Sequence, residues 1–276
     1  MFVTDFEYAD KRLSDFGYVM CHINTDSGVR DVDIGCDITF NTVKNNHSSV
    51  QYITSSSYDN VYSMSFDIIK SKCGRFREDI YLTSEEVRLL ITWLNRREYR
   101  RLKLINDVNA DMSINYYGSF NVKQIMMGDK VIGLSLTFTS NAPYGFADEI
   151  SVDYDIVSGN EYFYLNIDSD EIGILYPKVA ITFKQNYNTF SITNVSSGTT
   201  LFLKNCLKDE TIIIDGEHKI IITDKPEHNS TLYNDFNYEY LDILVKDDNF
   251  SENKYQVSNP CVVNIKYSPI RKVGVY

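Results

Sequence analysis

Two short runs of carboxylates are the parts of this sequence best suited to chemistry. Residues 168–171 read DSDE, and residues 31–37 read DVDIGCD. Calcium takes several oxygen ligands, so either run could bind it, but neither matches an EF-hand loop. Two distant carboxylates could also act as a glycosidase pair if the fold held them at the required separation. We expect solvated turns or strand faces here, with no metal ion bound.

Motifs that would indicate an enzyme are absent from the sequence. It contains no GxGxxG, P-loop, HExxH, CxxC or GxSxG pattern. Nucleophilic catalysis needs a base beside the nucleophile, and the histidines show no pattern with such a partner. We therefore predict no enzyme, no catalytic residue and no cofactor, and we expect His218 to lie exposed at a strand end. The four histidines are His22, His47, His218 and His228.

The cysteines indicate a protein without a disulfide framework. Their number is odd and no two are closely spaced, which also argues against a zinc knuckle. We expect small buried thiols. The five residues are Cys21, Cys36, Cys73, Cys206 and Cys261.

Charge and hydropathy narrow the class of protein further. The 276 residues carry a formal net charge of -11, and 43% of them are hydrophobic. No apolar run has the length needed to cross a bilayer, and the N-terminal stretch is acidic where a signal peptide would be basic. We expect a soluble protein made in a cytoplasm, without membrane insertion. An acidic chain binds nucleic acid poorly, but an acidic wall would suit a channel through which DNA passes.

Alternating apolar residues predict β-strands in the first half of the chain. Residues on one face of a strand recur with a period of two. The sets that share a face are Ile34, Cys36, Ile38 and Phe40; Tyr62, Met64, Phe66 and Ile68; and Leu134, Leu136 and Phe138.

One helix is predicted over about residues 84–98. Thr83 and Glu86 form a capping box at its start. Apolar residues at positions i, i+3, i+4 and i+7 place one stripe against a core. The members of this stripe are Val87, Leu90, Ile91 and Leu94.

Four arginines follow this stripe, at Arg96, Arg97, Arg100 and Arg101. On the C-terminal part of a helix, basic residues complement the helix dipole. In an acidic protein the same cluster could equally be an inter-subunit or partner interface that docks an acidic neighbour. Both interpretations stay open.

Residues 41–60 have a different composition. Eleven of these twenty residues are Ser, Thr or Asn, which predicts a long loop or an exposed hairpin arm rather than core. An arm could reach a neighbouring subunit, and we slightly favour the loop.

After residue 160, about eight short strands follow in series with no helical pattern, which predicts a β-sandwich. Asp215 and Gly216 mark a hairpin, because this dipeptide readily supplies two positive-φ positions in a tight turn. Many sandwich modules hold sugars on aromatic surfaces, so a stand-alone protein that binds host cell-wall glycans is an alternative function. The aromatic residues available are Tyr162, Phe163, Tyr164, Tyr187, Tyr233, Tyr238 and Tyr240.

The stretch LSLTFTSNAPYGFAD, residues 134–148, predicts a domain boundary. Pro143 removes a ladder donor and forces its predecessor into an extended conformation, so a strand ends there. Gly145 then permits a turn. We expect Tyr144 and Phe146 to pack at the domain seam, the plainer alternative being that they fill the first core. The domains would be residues 1–146 and 147–276, with 147–160 as a connecting segment.

As an ordered set of features, the chain resembles the distal tail protein (Dit) family of long-tailed bacteriophages. The features are MSFDIIK, the helix introduced by DIYLTSEEVRLLITWL, the strands ending in SNAPYGF, the segment TLFLKNCLKDETIIIDGEHKII, and a closing strand with Arg271 in its tail. The resemblance implies a mainly β fold: an α+β N-terminal domain with one helix, followed by a galectin-like β-sandwich.

The resemblance also implies a structural role at the tail tip of a virion, after synthesis in the host bacterial cytoplasm. Family members form a homohexameric ring that joins the tail tube to the tail-tip hub and anchors receptor-binding parts. The implied partners are further copies of the chain, the major tail tube protein, the hub or tail-associated lysin, and a receptor-binding protein or fibre. DNA would pass through the ring without specific binding, and no catalytic residue is implied.

Overall fold

The computed structural model describes residues 5–22, 35–44, 50–71, 80–105, 114–247 and 251–272. Most of them lie in antiparallel strands, so the expected mainly β fold is confirmed. The chain forms two compact units. The first holds the described residues up to Ala147 and those from Arg271 onward, and the second runs from Asp148 to Ile270.

The first unit is built from strands, a 3-10 helix and an α-helix. The strands are β1 (Asp5–Tyr8), β2 (Lys11–Arg12), β3 (Tyr18–Cys21), β4 (Ile38–Lys44), β5 (Gln51–Tyr58), β6 (Ser63–Lys70), β7 (Arg100–Ile105), β8 (Asn115–Met127), β9 (Lys130–Ser140) and β10 (Gly145–Phe146). The 3-10 helix spans Leu13–Phe16, and the α-helix, α1, spans Ser84–Leu94.

The main sheet of this unit has the strand order β2-β1-β7-β8-β9-β6-β3. The predicted alternation is confirmed in β6 and β9, because the residues that share a face are buried in the core. Ile38 and Phe40 also share a face, but they are exposed, and residues 31–34 lie outside the described part of the chain. The buried sets are Tyr62, Met64, Phe66 and Ile68, and Leu134, Leu136 and Phe138.

Helix α1 begins as predicted and ends earlier. The Thr83–Glu86 capping box is confirmed, but the helix stops at Leu94 rather than near residue 98. Asn95 is extended and donates its side-chain amide to the Phe120 carbonyl at 2.9 Å, which directs the chain towards β7.

The buried stripe of α1 also differs from the prediction at one position. Ile91 is 39% exposed, whereas Trp93 is only 4% exposed. The indole of Trp93 reaches inward and donates a hydrogen bond to the Tyr8 carbonyl at 2.9 Å. The indole N–H therefore has a hydrogen-bond acceptor inside the core, as a buried tryptophan usually does.

The second unit contains mostly strands. They are β11 (Ile150–Ile156), β12 (Glu161–Ile167), β13 (Gly173–Leu175), β14 (Lys178–Phe183), β15 (Tyr187–Asn194), β16 (Thr200–Cys206), β17 (Thr211–Asp215), β18 (Ile220–Thr223), β19 (Ile243–Val245), β20 (Ser251–Val257) and β21 (Cys261–Tyr267). Two short helices are α2 (Pro226–Asn229) and α3 (Leu232–Asp235). A last strand, β22, spans Ile270–Arg271, and its Arg271 belongs to the first unit.

The two larger antiparallel sheets of this unit have the orders β11-β21-β14-β17-β18 and β12-β20-β15-β16, and β13 pairs with β19 in a separate two-stranded sheet. Ile181 and Val263 of the first sheet lie in one hydrophobic core with Phe190 and Leu203 of the second. Two sheets that share a core by their inner faces make a β-sandwich.

Two expectations for this half of the chain were wrong. Residues 147–160 are not merely a connector, because β11 pairs along its length with β21. Helices also occur after residue 160, as the single turns α2 and α3. Single turns are too short to show helical periodicity, and the start signals are single residues, Pro226 for α2 and Thr231 for α3.

The hairpin at Asp215 and Gly216 is confirmed, but its tight turn is not. Four residues, 216–219, connect β17 to β18. The positive φ of 57° is at Lys219, and the Asp215 carboxylate accepts a hydrogen bond from the His218 backbone N–H at 3.0 Å. His218 is exposed, as expected.

Candidate functional site

Strands β4 and β5 form a hairpin arm rather than the loop that the sequence slightly favoured. They make a two-stranded antiparallel sheet that pairs with no other described strand. Nearly every residue of both strands is exposed. An isolated two-stranded hairpin is marginally stable in water and needs a further surface to cover it.

Exposed apolar side chains lie on both faces of the arm, with Val43 and Tyr52 on the face opposite Phe40. Because paired residues share a face, Ile38 and Phe40 lie on the same side as Ile53. Their exposures are 46%, 54% and 63%. The opposite face carries the hydrogen bond from Asn41 to the Ser55 hydroxyl at 3.0 Å. The arm thus presents exposed apolar side chains that nothing in the described chain covers.

The four predicted arginines do not lie on α1. Arg96 and Arg97 follow the helix end, and Arg100 and Arg101 begin β7. The last turn of α1 contains no basic residue, but Arg96 lies just beyond it and hydrogen-bonds to a carbonyl of that turn, so the dipole interpretation holds for Arg96 alone.

The partners of these arginines differ. Arg96 donates to the Trp93 carbonyl at 3.0 Å, and Arg100 pairs with Glu98 at 2.5 Å. Arg101 pairs with Glu7 on β1. Arg97 is exposed and forms no ion pair within the described residues. Of the four, Arg97 is the side chain most available to a partner protein.

The boundary segment packs on the first unit. The Tyr144 ring lies 6.1 Å from Tyr58 and 5.6 Å from Phe146, which in turn lies 6.1 Å from Tyr117. Pro143 accepts a hydrogen bond from the Cys36 thiol at 3.4 Å. These contacts agree with the plainer alternative, and the seam role of Pro143, Tyr144 and Phe146 stays a prediction.

Gly145 has a role other than the turn expected of it. It lies within β10, and a Cβ added there would meet Ile114 Cγ2 at 2.2 Å and Tyr116 Cε1 at 2.9 Å. The residue is glycine because core side chains approach its backbone closely.

Two exposed tyrosines lie on one face of the second sandwich sheet. Tyr162 and Tyr164, on β12, are 45% and 49% exposed. The Lys254 ammonium lies 4.1 Å from the ring centroid of Tyr162 and 5.8 Å from that of Tyr164. This cation–π contact occupies part of the ring surface that a sugar would stack on.

A candidate metal cluster and a membrane-spanning helix are both absent from the described residues. No cluster of three or more His, Cys, Asp or Glu side chains there could hold a metal ion, and no described helix is long and apolar enough to cross a membrane. Residues 31–34 of the first acidic run and Cys73 lie outside the described residues.

The described cysteines are free, and two of them are buried as expected. Burial raises the pKa of both Cys206 and Cys261 to about 12 and that of Cys21 to about 11. Thiols with such values stay protonated at neutral pH and are poor nucleophiles.

Two protein-family models, for consecutive phage tail domains, match the sequence of the chain. One described as a phage tail protein N-terminal domain matches residues 1–142, and one described as a phage tail C-terminal domain matches residues 144–267. No curated protein matches significantly.

A solved phage structure shares the fold over nearly the whole chain, and a second aligns with it at a lower score. SPP1 Dit (gp 19.1), described as a paradigm of the hub adsorption apparatus in phages that infect Gram-positive bacteria, is 12% identical with a TM-score of 0.63 over 97% of this chain and 99% of that chain. A chain of the phage P2 baseplate, in its activated conformation with calcium, is 10% identical with a TM-score of 0.45 over 96% and 98%. At 12% identity, the likeness to SPP1 Dit establishes the fold.

Proposed function

The chain belongs to the phage tail protein family, and we propose that it is the distal tail component that assembles as a hexameric ring at the tail tip. The ring joins the tail tube to the tail-tip hub and anchors receptor-binding parts for host adsorption. The likeness to SPP1 Dit over 97% of this chain supports this role, because that protein is described as part of a hub adsorption apparatus.

The hairpin arm is the observation that carries the proposal. A cyclic ring repeats one heterologous interface, so each subunit needs a projecting surface that the next subunit covers. The face formed by Ile38, Phe40 and Ile53 is exposed in the single chain and suits that purpose. An exposed apolar face of this kind is costly unless a partner covers it.

The arginines after α1 form a second part of the same interface in this proposal. Their positive charge complements the acidic surface of another copy, because the chain has a net charge of -11. Arg97 supplies the contact most directly, since it is exposed and has no ion pair within the described residues.

Further partners follow from the position at the tail tip. They are the major tail tube protein on one side and the hub or tail-associated lysin on the other, with the galectin-like second unit holding a receptor-binding protein or fibre. The acidic ring lets DNA pass without specific binding. The role is structural, needs no cofactor and involves no enzymatic step.

Electron microscopy of the virion tests the proposal. Antibody fragments raised against the second unit are expected to label the tail tip and no other part of the particle. Light scattering of the purified protein measures whether the ring forms without partners. A virion whose tail tip carries no label, while the protein is detected elsewhere in the particle, overturns the proposal.

A second candidate function is glycan binding by the sandwich, which the exposed pair Tyr162 and Tyr164 favours. Stacking on a sugar would need Lys254 to leave the ring faces. Calorimetry against cell-wall polysaccharides tests this function. Binding that disappears in a Tyr162→Ala, Tyr164→Ala double variant supports it, and the absence of binding heat with every glycan rules it out.

A further inference from the structure

A cavity of about 350 Å³ lies between α1 and the segment that contains the 3-10 helix. Tyr18, Leu90 and Trp93 form its buried wall, and Phe16 stacks on Trp93 with ring centroids 4.9 Å apart. Its volume falls at the lower end of the range of about 300–1,000 Å³ that is typical of ligand pockets. The cavity is large enough for one or two side chains of a partner.

The mouth of the cavity exposes large apolar side chains. Phe16 is 48% exposed, and Leu89, one turn before Trp93 on α1, is 54% exposed. Exposed apolar groups beside an aromatic-lined pocket are the usual anatomy of a binding hot spot. An apolar side chain of a partner would be buried between them.

The charged groups at the rim are unequally engaged. The Glu86 carboxylate is held by Lys70 at 2.8 Å and by the Thr83 backbone N–H at 2.7 Å, so it is neutralised from within the chain. Lys11 is exposed and forms no ion pair within the described residues. Arg96 also lines the cavity; it donates to the Trp93 carbonyl at 3.0 Å, and its guanidinium lies 3.9 Å from the Glu98 carboxylate. The rim therefore favours an anionic group, in a chain that is otherwise acidic.

From the apolar wall and the basic rim together, we infer that the cavity docks a protein segment that carries an aliphatic side chain next to an aspartate or glutamate. The aliphatic group fills the space over Trp93, and the carboxylate meets Lys11 and Arg96. A free phosphate would leave the apolar wall uncovered, and a neutral apolar segment would leave the cations unused. This site is separate from the hairpin arm and shares Arg96 with the proposed ring interface.

The chain provides its own reporter for this site, because Trp93 is its single tryptophan and lies in the cavity wall. A suitable probe is the acetylated peptide (Asp-Leu-Glu)4, which contains no aromatic residue. We expect it to change the Trp93 emission saturably at concentrations up to about 1 mM. The amide counterpart (Asn-Leu-Gln)4 is expected to bind at least tenfold more weakly.

Variants of the full chain locate the effect. Lys11→Gln and Leu89→Ser each alter an exposed side chain at the cavity and are expected to weaken binding of (Asp-Leu-Glu)4 at least tenfold, with folding verified by circular dichroism. Arg88→Gln is the matched control, because it removes a cation from the same helix that pairs with Glu85 and does not line the cavity. It should bind the peptide like the unmodified chain.

Three results overturn the inference. One is no saturable change in Trp93 emission. The second is equal binding of the acidic and the amide peptides, or binding that survives in both cavity variants. The third is a Trp93 emission that changes with protein concentration in the absence of peptide, together with dimers in sedimentation that the Leu89→Ser substitution abolishes. That result would assign the cavity to a second copy of the chain.

Discussion

His228 Nδ1 lies 2.7 Å from Oε1 of Glu210, and both side chains are almost completely buried in the second unit. The other ring nitrogen lies 3.3 Å from the Asp235 carboxylate. Glu210 also accepts hydrogen bonds from the Thr223 hydroxyl at 2.5 Å and the Leu207 backbone N–H at 2.8 Å. The network ties α2 and α3 to the sandwich through buried hydrogen bonds.

We expect Glu210→Gln to lower the free energy of unfolding by about 1–3 kcal/mol, because an amide NH2 replaces a carboxylate oxygen that accepts from buried donors and leaves such a donor unsatisfied. The substitution keeps the size of the side chain, so a cavity does not contribute. Urea denaturation followed by circular dichroism measures the change.

The matched control is Asp215→Asn, which makes the same chemical change in an exposed pair. Asp215 Oδ2 lies 3.0 Å from Nδ1 of His218, whose side chain is 66% exposed. Surface pairs contribute less than about 1 kcal/mol. An equal loss in both variants would show that burial of the Glu210 pair does not matter.

The capping box predicts how acid affects α1. The pKa of Glu86 lies below its ordinary value of 4.5: burial acts to raise it, but hydrogen bonds from Lys70 and Thr83 outweigh burial. A carboxyl with a depressed pKa in the folded state stabilises the fold above its unfolded-state pKa, and this contribution is lost as the pH falls through the folded value. The difference in free energy of unfolding between the unmodified chain and Glu86→Gln should therefore have its largest value at pH 7 and should decrease below about pH 4.5.

Stability curves of both proteins between pH 7 and pH 3 measure this dependence. A difference that stays constant, or grows as the pH falls, would contradict the ionised capping box. Exposed Glu252 serves as a control position, at which Glu→Gln should change stability by less than about 0.5 kcal/mol at neutral pH.

Gly145→Ala tests the close approach at the domain boundary. The added methyl group would meet Ile114 and Tyr116, both buried. Overpacking of this kind costs about 1–3 kcal/mol, and thermal unfolding should register it. Gly35→Ala is the control, because its Cβ would lie in open space. If both variants unfold like the unmodified chain, Gly145 is not constrained by packing.

Sequence reasoning succeeded where local pattern and burial agree. The alternation of Leu134, Leu136 and Phe138 and the capping box at Thr83 and Glu86 each follow from rules that act within one element. The order of features also identified the phage tail family that the domain models then matched.

Strand β20 is difficult to recognise in the sequence because its inward face is partly polar. Asn253 is fully buried, and its side chain makes hydrogen bonds with the backbone N–H and carbonyl of Leu244 at 2.8 and 2.9 Å. Ser251 is buried in the same way and bonds to Lys246. An inward polar residue replaces the expected apolar one, so the period of two disappears from the sequence.

The buried network was also invisible in the sequence, because Glu210, His228 and Asp235 come together through tertiary structure alone. Between Glu210 and His228 the chain passes through β17, the hairpin turn and β18. The arm was misjudged for another reason: its polar composition resembles a loop, and the pairing between β4 and β5 has no buried face to reveal it.

The four arginines have different partners, so substitutions can separate an effect on assembly from an effect on folding. Replacement of all four, Arg96, Arg97, Arg100 and Arg101, by Ser should weaken assembly more than folding. Arg97→Ser alone should raise the protein concentration needed for assembly at least tenfold and leave unfolding unchanged. Arg101→Ser, which breaks the pair with Glu7, should cost up to about 1 kcal/mol of folding stability. Normal assembly of the fourfold variant, measured by sedimentation, would refute the interface role.

The hairpin arm gives the most direct test of the ring. Phe40→Ser with Ile53→Ser removes two side chains that are 54% and 63% exposed, so folding of the single chain should be unaffected. If a neighbouring copy buries both, their loss should weaken association by about 3 kcal/mol, roughly a hundredfold. Sedimentation, or electron microscopy of rings assembled with tail partners, measures this.

Tyr52→Ser is the matched control for the arm, because Tyr52 is similarly exposed at 57% but lies on the opposite face of the hairpin. It should assemble normally if the face of Ile38, Phe40 and Ile53 is the one covered. Loss of assembly in Tyr52→Ser, with normal assembly of the double variant, would assign the contact to the other face. Normal assembly of both variants would mean that the arm does not hold the ring together.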